Sequence, residues 1–220
     1  IAVDMEGRLE IISNSMDTLC IGGGYNEDDS EIDLRSGQIR IHMHSHNGLA
    51  IGSFNGDALI DISDKCKLEL TVSGIKVTGI GSCKGIATIS SSADIAISCT
   101  GAQAVAIGSL EDGEGSIYIK SGKLMMKMRS AKNSAIGAIK GNMNTRVENA
   151  DISIDSEGDE ITGIGDALGT GNVAIIDSAV TMKILAANPK DIGTGSGDLK
   201  IVNSTVSSLI NNKVITHSNI

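Results

Sequence analysis

Aromatic residues are almost missing from this chain: Tyr25, Phe54 and Tyr118 are the only ones in 220 residues, and there is no tryptophan. A core without rings must be filled by aliphatic side chains in repetitive layers. A carbohydrate site built on ring stacking has little to stack on. Basic residues are outnumbered, 18 Lys and Arg against 27 Asp and Glu, for a net charge of −9 with no basic stripe. That balance excludes direct nucleic-acid contact, which needs clustered cations to displace counterions. No apolar run approaches the roughly 20 residues that cross a bilayer and no basic-then-apolar leader opens the chain, so no membrane association is expected. The opening "IAVDMEG" lacks an initiator methionine, so residues 1–220 are read as a single domain of a larger or processed protein. Proline occurs once, at Pro189, whereas glycine occurs 27 times.

Those glycines fall in a pattern. The dipeptide Ile-Gly recurs in "CIGGG", "AIGS", "GIGS", "AIGS", "AIGA", "GIGD" and "DIGT", with its isoleucines at Ile21, Ile51, Ile80, Ile107, Ile136, Ile164 and Ile192. The intervals of 27 to 30 residues define seven coils over nearly the whole chain. A second column checks the register. Twelve and ten residues before each anchor stand Leu9/Ile11, Ile39/Ile41, Leu68/Leu70, Ile95/Ile97, Leu124/Met126, Ile152/Ile154 and Val180/Met182. All are apolar, and the residue between each pair is mostly polar, which is the period of a strand with one buried face. Further strands precede these in "EIDLRSG", "LIDISD", "IATIS" and "SIYIKSG".

Two or three short strands per coil, with no helical periodicity, predict an all-β right-handed parallel β-helix (β-solenoid) of about seven to eight coils of ~28 residues. The handedness rests on the general preference of parallel crossovers. Stacked at about 4.8 Å per coil, equivalent residues form continuous columns. The anchor column Gly22, Gly52, Gly81, Gly108, Gly137, Gly165 and Gly193 is glycine in every coil. Such repetition implies positive φ or no room for a Cβ. The segment after residue 198 keeps strand-like residues but no anchor, and neither end shows a capping helix. End-to-end pairing between copies, or a flanking domain, is therefore expected to cover the open ends.

The run "AIGSLEDGEGSIYIKSGKLMMKM" resembles the glycine-rich "GIGG/AIGS" β-helix repeats of bacterial surface and carbohydrate-binding proteins, and similar repeats form C-terminal modules of bacterial regulators. The resemblance spans about residues 1–200. It implies a β-helix that binds a protein partner or another ligand, either as the effector or assembly domain of a regulator or as an adhesin-like surface segment. This chain departs from those repeats in its four cysteines and eight methionines.

The cysteines Cys20, Cys66, Cys83 and Cys99 occupy four different columns, so no disulfide ladder can form and free buried thiols are expected. Unpaired thiols favour the cytoplasm, with a cell-surface location as the alternative. In "IHMHSH", His42, His44 and His46 are the weak metal candidates. The register sets them on an outward face beside Ile12, Thr71, Asn14, Ser73, Met16 and Ile75, none of which supplies a carboxylate. Acidic turns at "NEDDSE", "LEDGEG" and "DSEGDE" could hold Ca²⁺ but lie in separate coils, and solvated charge explains them as well. The coils carry no long insertion that would wall a catalytic cleft. The expectation is thus a non-catalytic binding module with no cofactor, and the alternative is a calcium-dependent β-helix that binds or cleaves polysaccharide.

Overall fold

The computed structural model describes residues 1–23, 29–111, 113–166 and 168–218, and all of its regular structure there is strand. It is a parallel β-solenoid of about seven turns. Three ladders run along it. The first stacks the opening arm of β3 (Ser30–Ser53) on β4 (Ala58–Ile62), β6 (Ile86–Ser91), β8 (Gly113–Ile119), β10 (Gly141–Glu148), β12 (Val173–Ile176) and β14 (Leu199–Val202). The second runs from β1 (Ala2–Asn14) through β3 and the leading arms of β5 (Cys66–Ser82), β7 (Asp94–Ser109), β9 (Gly122–Ala138), β11 (Ala150–Asp166) and β13 (Ala179–Ile192) to β15 (Thr205–Ile210). The third joins β2 (Asp17–Gly23) to the trailing arms of those long strands.

The register read from the repeats is the one adopted. Leu9, Ile39, Leu68, Ile95, Leu124, Ile152 and Val180 pair successively, as do the seven anchor isoleucines. Along β5 the alternation is strict: Cys66, Leu68, Leu70 and Val72 are buried, and Lys67, Glu69 and Thr71 are exposed. Each fully buried Ile or Leu contributes roughly 1.5–3 kcal/mol relative to exposure. The inward columns of the three ladders together supply the core's driving force.

Both reasons for the anchor glycines hold. Gly108 has φ +135°, and a Cβ there would lie 1.9 Å from the carbonyl oxygen of Gly137 in the next coil. Gly193, the last of the column, keeps φ +116° but has nothing within 4 Å of that position. The clash belongs to stacking, and the dihedral belongs to the bend itself.

Two features were not anticipated. The trailing arms of β5, β7, β9 and β11 each end in six consecutive buried residues, which a one-sided strand cannot show. Their outward side chains are covered by the turn that follows. Leu49, Phe54, Val105 and Leu110 are buried yet stand apart from the inward core cluster, and Cys83 Sγ lies 3.9 Å from Thr78 Oγ1. The position two before the anchor and the position three after it therefore form a second, outer apolar layer.

The other feature is the C-terminal end, which is capped by a hairpin. After β15 the chain reverses at Asn211 and Asn212, both at positive φ, and β16 (Lys213–His217) pairs antiparallel with β15. Asn211 also receives the N–H of Ala186 on its side-chain oxygen and donates its amide to the Ala186 carbonyl. His217 Nε2 lies 2.6 Å from Asp191 Oδ2, so the returning strand is tied to the last coil at two points. Pro189, the sole proline, lies in the arm Asn188–Ile192, which pairs with β11 and carries no further strand. A terminal strand tolerates proline best.

Candidate functional site

The sequence-predicted residues are placed as the register required, and they are not brought together. His42 is half-buried, His44 and His46 are exposed, and Met43 between the first two is buried in the core. His44 Nδ1 meets Ser73 Oγ at 2.9 Å, while Glu69, the nearest carboxylate along the strand, is held by Arg40. Among the described residues no group of three or more His, Cys, Asp or Glu side chains could hold a metal ion. The imidazoles stand instead among exposed apolar side chains, Ile12, Met16 and Ile75.

Acidic residues of two of the three turns form ion pairs between coils. Asp155 and Glu157 meet Arg129 at 2.7 and 3.4 Å, and Glu160 meets Lys132 at 2.9 Å. Glu111 is held by Lys76, whose hydrogen bond keeps its carboxyl below the usual range. Residues 26–28 of "NEDDSE", Asp112 of "LEDGEG" and Tyr25 lie outside the described residues. All four cysteines are free thiols. Burial pushes Cys83 and Cys99 up to about 12, and it raises Cys20 and Cys66 as well, so none is a ready thiolate.

A further concavity lies on the third ladder over coils five to seven, and the acidic turn "DSEGDE", whose Glu160 lines it, is the one part of it singled out in the sequence. It is a groove of about 630 Å³. Ile139 forms its apolar base, and Leu168, 76% exposed, overhangs it, while Ile161 borders it with its side chain packed in the core. Lys132, Lys140 and Lys190 surround it, with Glu160 as the one carboxylate. Gln103 and Asn188 add amides at its edge. Three cations against one anion make this a locally positive surface on an acidic chain.

A buried polar frame holds the groove. In the column after the anchor glycine, hydroxyls brace the turn: Ser53 Oγ accepts the Gly56 N–H at 3.0 Å, and Thr194 Oγ1 accepts that of Gly197 at 2.7 Å. Coil five has Ala138 there and so lacks the hydroxyl. Asp166, one coil on and fully buried, reaches back to accept the N–H groups of Ala138 at 2.9 Å and Met143 at 2.7 Å. It thereby brackets the turn that carries Ile139 and Lys140. Gly171 makes room, since a Cβ there would lie 2.6 Å from Asp166 Oδ2. Burial pushes the Asp166 carboxyl up to about 6, against the opposing pull of the two N–H donors and of Lys190. Beneath the groove, Ser156 donates to Asn133 Oδ1 at 2.6 Å, and Asn133 Nδ2 donates to the Ser130 carbonyl at 3.1 Å.

No family model matches the chain, and neither a curated protein nor a solved structure matches it.

Proposed function

We propose that the chain is a non-catalytic interaction module, in which the solenoid is a rigid scaffold and the groove over coils five to seven is its contact surface. The observation that carries this reading is the exposed apolar surface of Leu168 beside Ile139 inside a rim of lysines. Apolar patches rimmed by polar groups are where partners dock. The effector-domain and adhesin-like versions of the module both use such a surface. The calcium-dependent polysaccharide reading has less support. Asp155, Glu157 and Glu160 are engaged by Arg129 and Lys132, and the Tyr118 ring has Lys120 and Arg146 within 5.8 Å of its centroid.

The test is selection of a displayed random-peptide library on the wild-type chain, with counter-selection on Leu168→Asp. Binders that enrich on the wild type and fall away on the variant are the expected result. A library from which no variant-sensitive binder emerges would overturn the reading.

A further inference from the structure

Resting on that reading, we propose that the groove takes an extended segment of a partner protein in which aliphatic and acidic side chains alternate. Three observations on the groove select this chemistry. The apolar part is small and shaped by two aliphatic groups, Ile139 and Leu168, with no ring between them, so it suits one or two aliphatic side chains. Burying an exposed leucine removes enough apolar surface from water to anchor a short segment.

The charged part is cationic. Lys132, Lys140 and Lys190 line the groove on coils five and seven, with Glu160 2.9 Å from Lys132, so positive charge extends across it. The chain as a whole, at net −9, repels acids, so attraction must be local and sensitive to salt. The polar edge is made of Gln103 and Asn188, whose amides can meet a peptide backbone on both donor and acceptor. An alkyl carboxylate would leave them unused. From coil five to coil seven is roughly 10 Å, the span of three or four residues of extended chain.

The experiment measures fluorescence anisotropy of a labelled octapeptide of alternating leucine and glutamate. Controls alternate leucine with lysine and serine with glutamate. The protein is the wild type, Leu168→Asp or Lys140→Glu. Both substituted side chains are exposed, and retention of the strand signature and melting temperature verifies the fold. Binding of the leucine–glutamate peptide to the wild type is expected, weakened by salt and roughly tenfold weaker on each variant. Equal affinity for the leucine–lysine peptide, undiminished binding on both variants, or no binding at millimolar peptide would overturn the proposal. If the library selection still returns groove-dependent binders of other composition, the ligand class fails and the module stands. If both experiments return nothing, both fail together.

Discussion

Asp166 offers the sharpest test of how the irregular coils are held. Its carboxylate is fully buried and accepts two backbone N–H groups of the preceding coil. Burial nevertheless dominates and pushes its pKa up to about 6 from 3.8. A carboxyl whose folded pKa is raised contributes stability that is fully present below the unfolded value. That contribution is lost as pH rises through the folded one. The window here runs from about pH 4 to just above pH 6, and the loss is ~3 kcal/mol, at 1.36 kcal/mol per pH unit of separation. Asp166→Asn removes the titration and keeps one of the two acceptors. It costs about 1 kcal/mol at acid pH for the lost hydrogen bond.

Urea unfolding of both proteins at about pH 4, 5, 6 and 7 cancels every other titrating group in the difference. The wild type is expected to start slightly more stable than Asp166→Asn, and the difference should move by ~3 kcal/mol in the variant's favour by neutral pH. A difference that stays flat over this range would refute the assignment. So would a titration midpoint of the Asp166 carboxyl near the usual carboxylate value, followed by ¹³C NMR.

The anchor column makes a paired prediction. Gly108→Ala, where φ is +135° and the Cβ would meet a carbonyl at 1.9 Å, should destabilise by several kcal/mol; Gly193→Ala, at +116° with open space, should cost only the roughly 1–3 kcal/mol of backbone strain. Comparable melting temperatures for the two would count against the stacking account. At the capped end, His217→Ala should raise amide exchange in β16 and around Asp191 while the central coils stay protected, since solenoid stability is transmitted between neighbours. Uniform exchange would show that the hairpin is no separate cap. Cys83 and Cys99, raised to about 12, should react with a thiol reagent near pH 8 only on unfolding. Fast modification of the native chain at either would contradict their placement.

What was legible in the sequence is what the stacking rule forces on every coil alike. An inward position is apolar in most coils, the anchor bend needs positive φ and the next coil leaves no room for a Cβ, so these constraints were repeated often enough to be read from columns. The outer apolar layer was not legible in that way, because its rule couples two positions within a coil. Leu49 goes with Phe54, Thr78 with Cys83 and Val105 with Leu110, and each column taken separately looks mixed. Comparing residues two before and three after each anchor would have found it. The hairpin did leave a signal, two asparagines between "SSLI" and "KVITH", which is a favoured turn between alternating strands. The histidines taught the reverse lesson, since three of one residue type on a strand form a row and not a ligand shell.

The groove escaped notice because it is made by exceptions, and the exceptions compensate one another. Asn133 occupies a column that elsewhere holds Val77, Ala104 and Ile161, and Ser156 one that holds Val72, Cys99 and Met128. Each alone would be a buried polar error costing about 1–3 kcal/mol, yet together they satisfy each other at 2.6 Å. Asn133→Val should therefore destabilise by about 1–3 kcal/mol, because the Ser156 hydroxyl loses its acceptor. Ser156→Val alone leaves the Asn133 oxygen without its donor and should cost a similar amount. The double variant should recover most of the loss, because two apolar side chains then pack as Val72 with Val77 and Cys99 with Ala104 do in coils three and four. A double variant as unstable as the sum of the singles would mean that the two residues act independently and that the floor of the groove is not one unit. Ala138 and Asp166 follow the same logic one column away, so both departures from the repeat converge on the turn that presents Ile139 and Lys140.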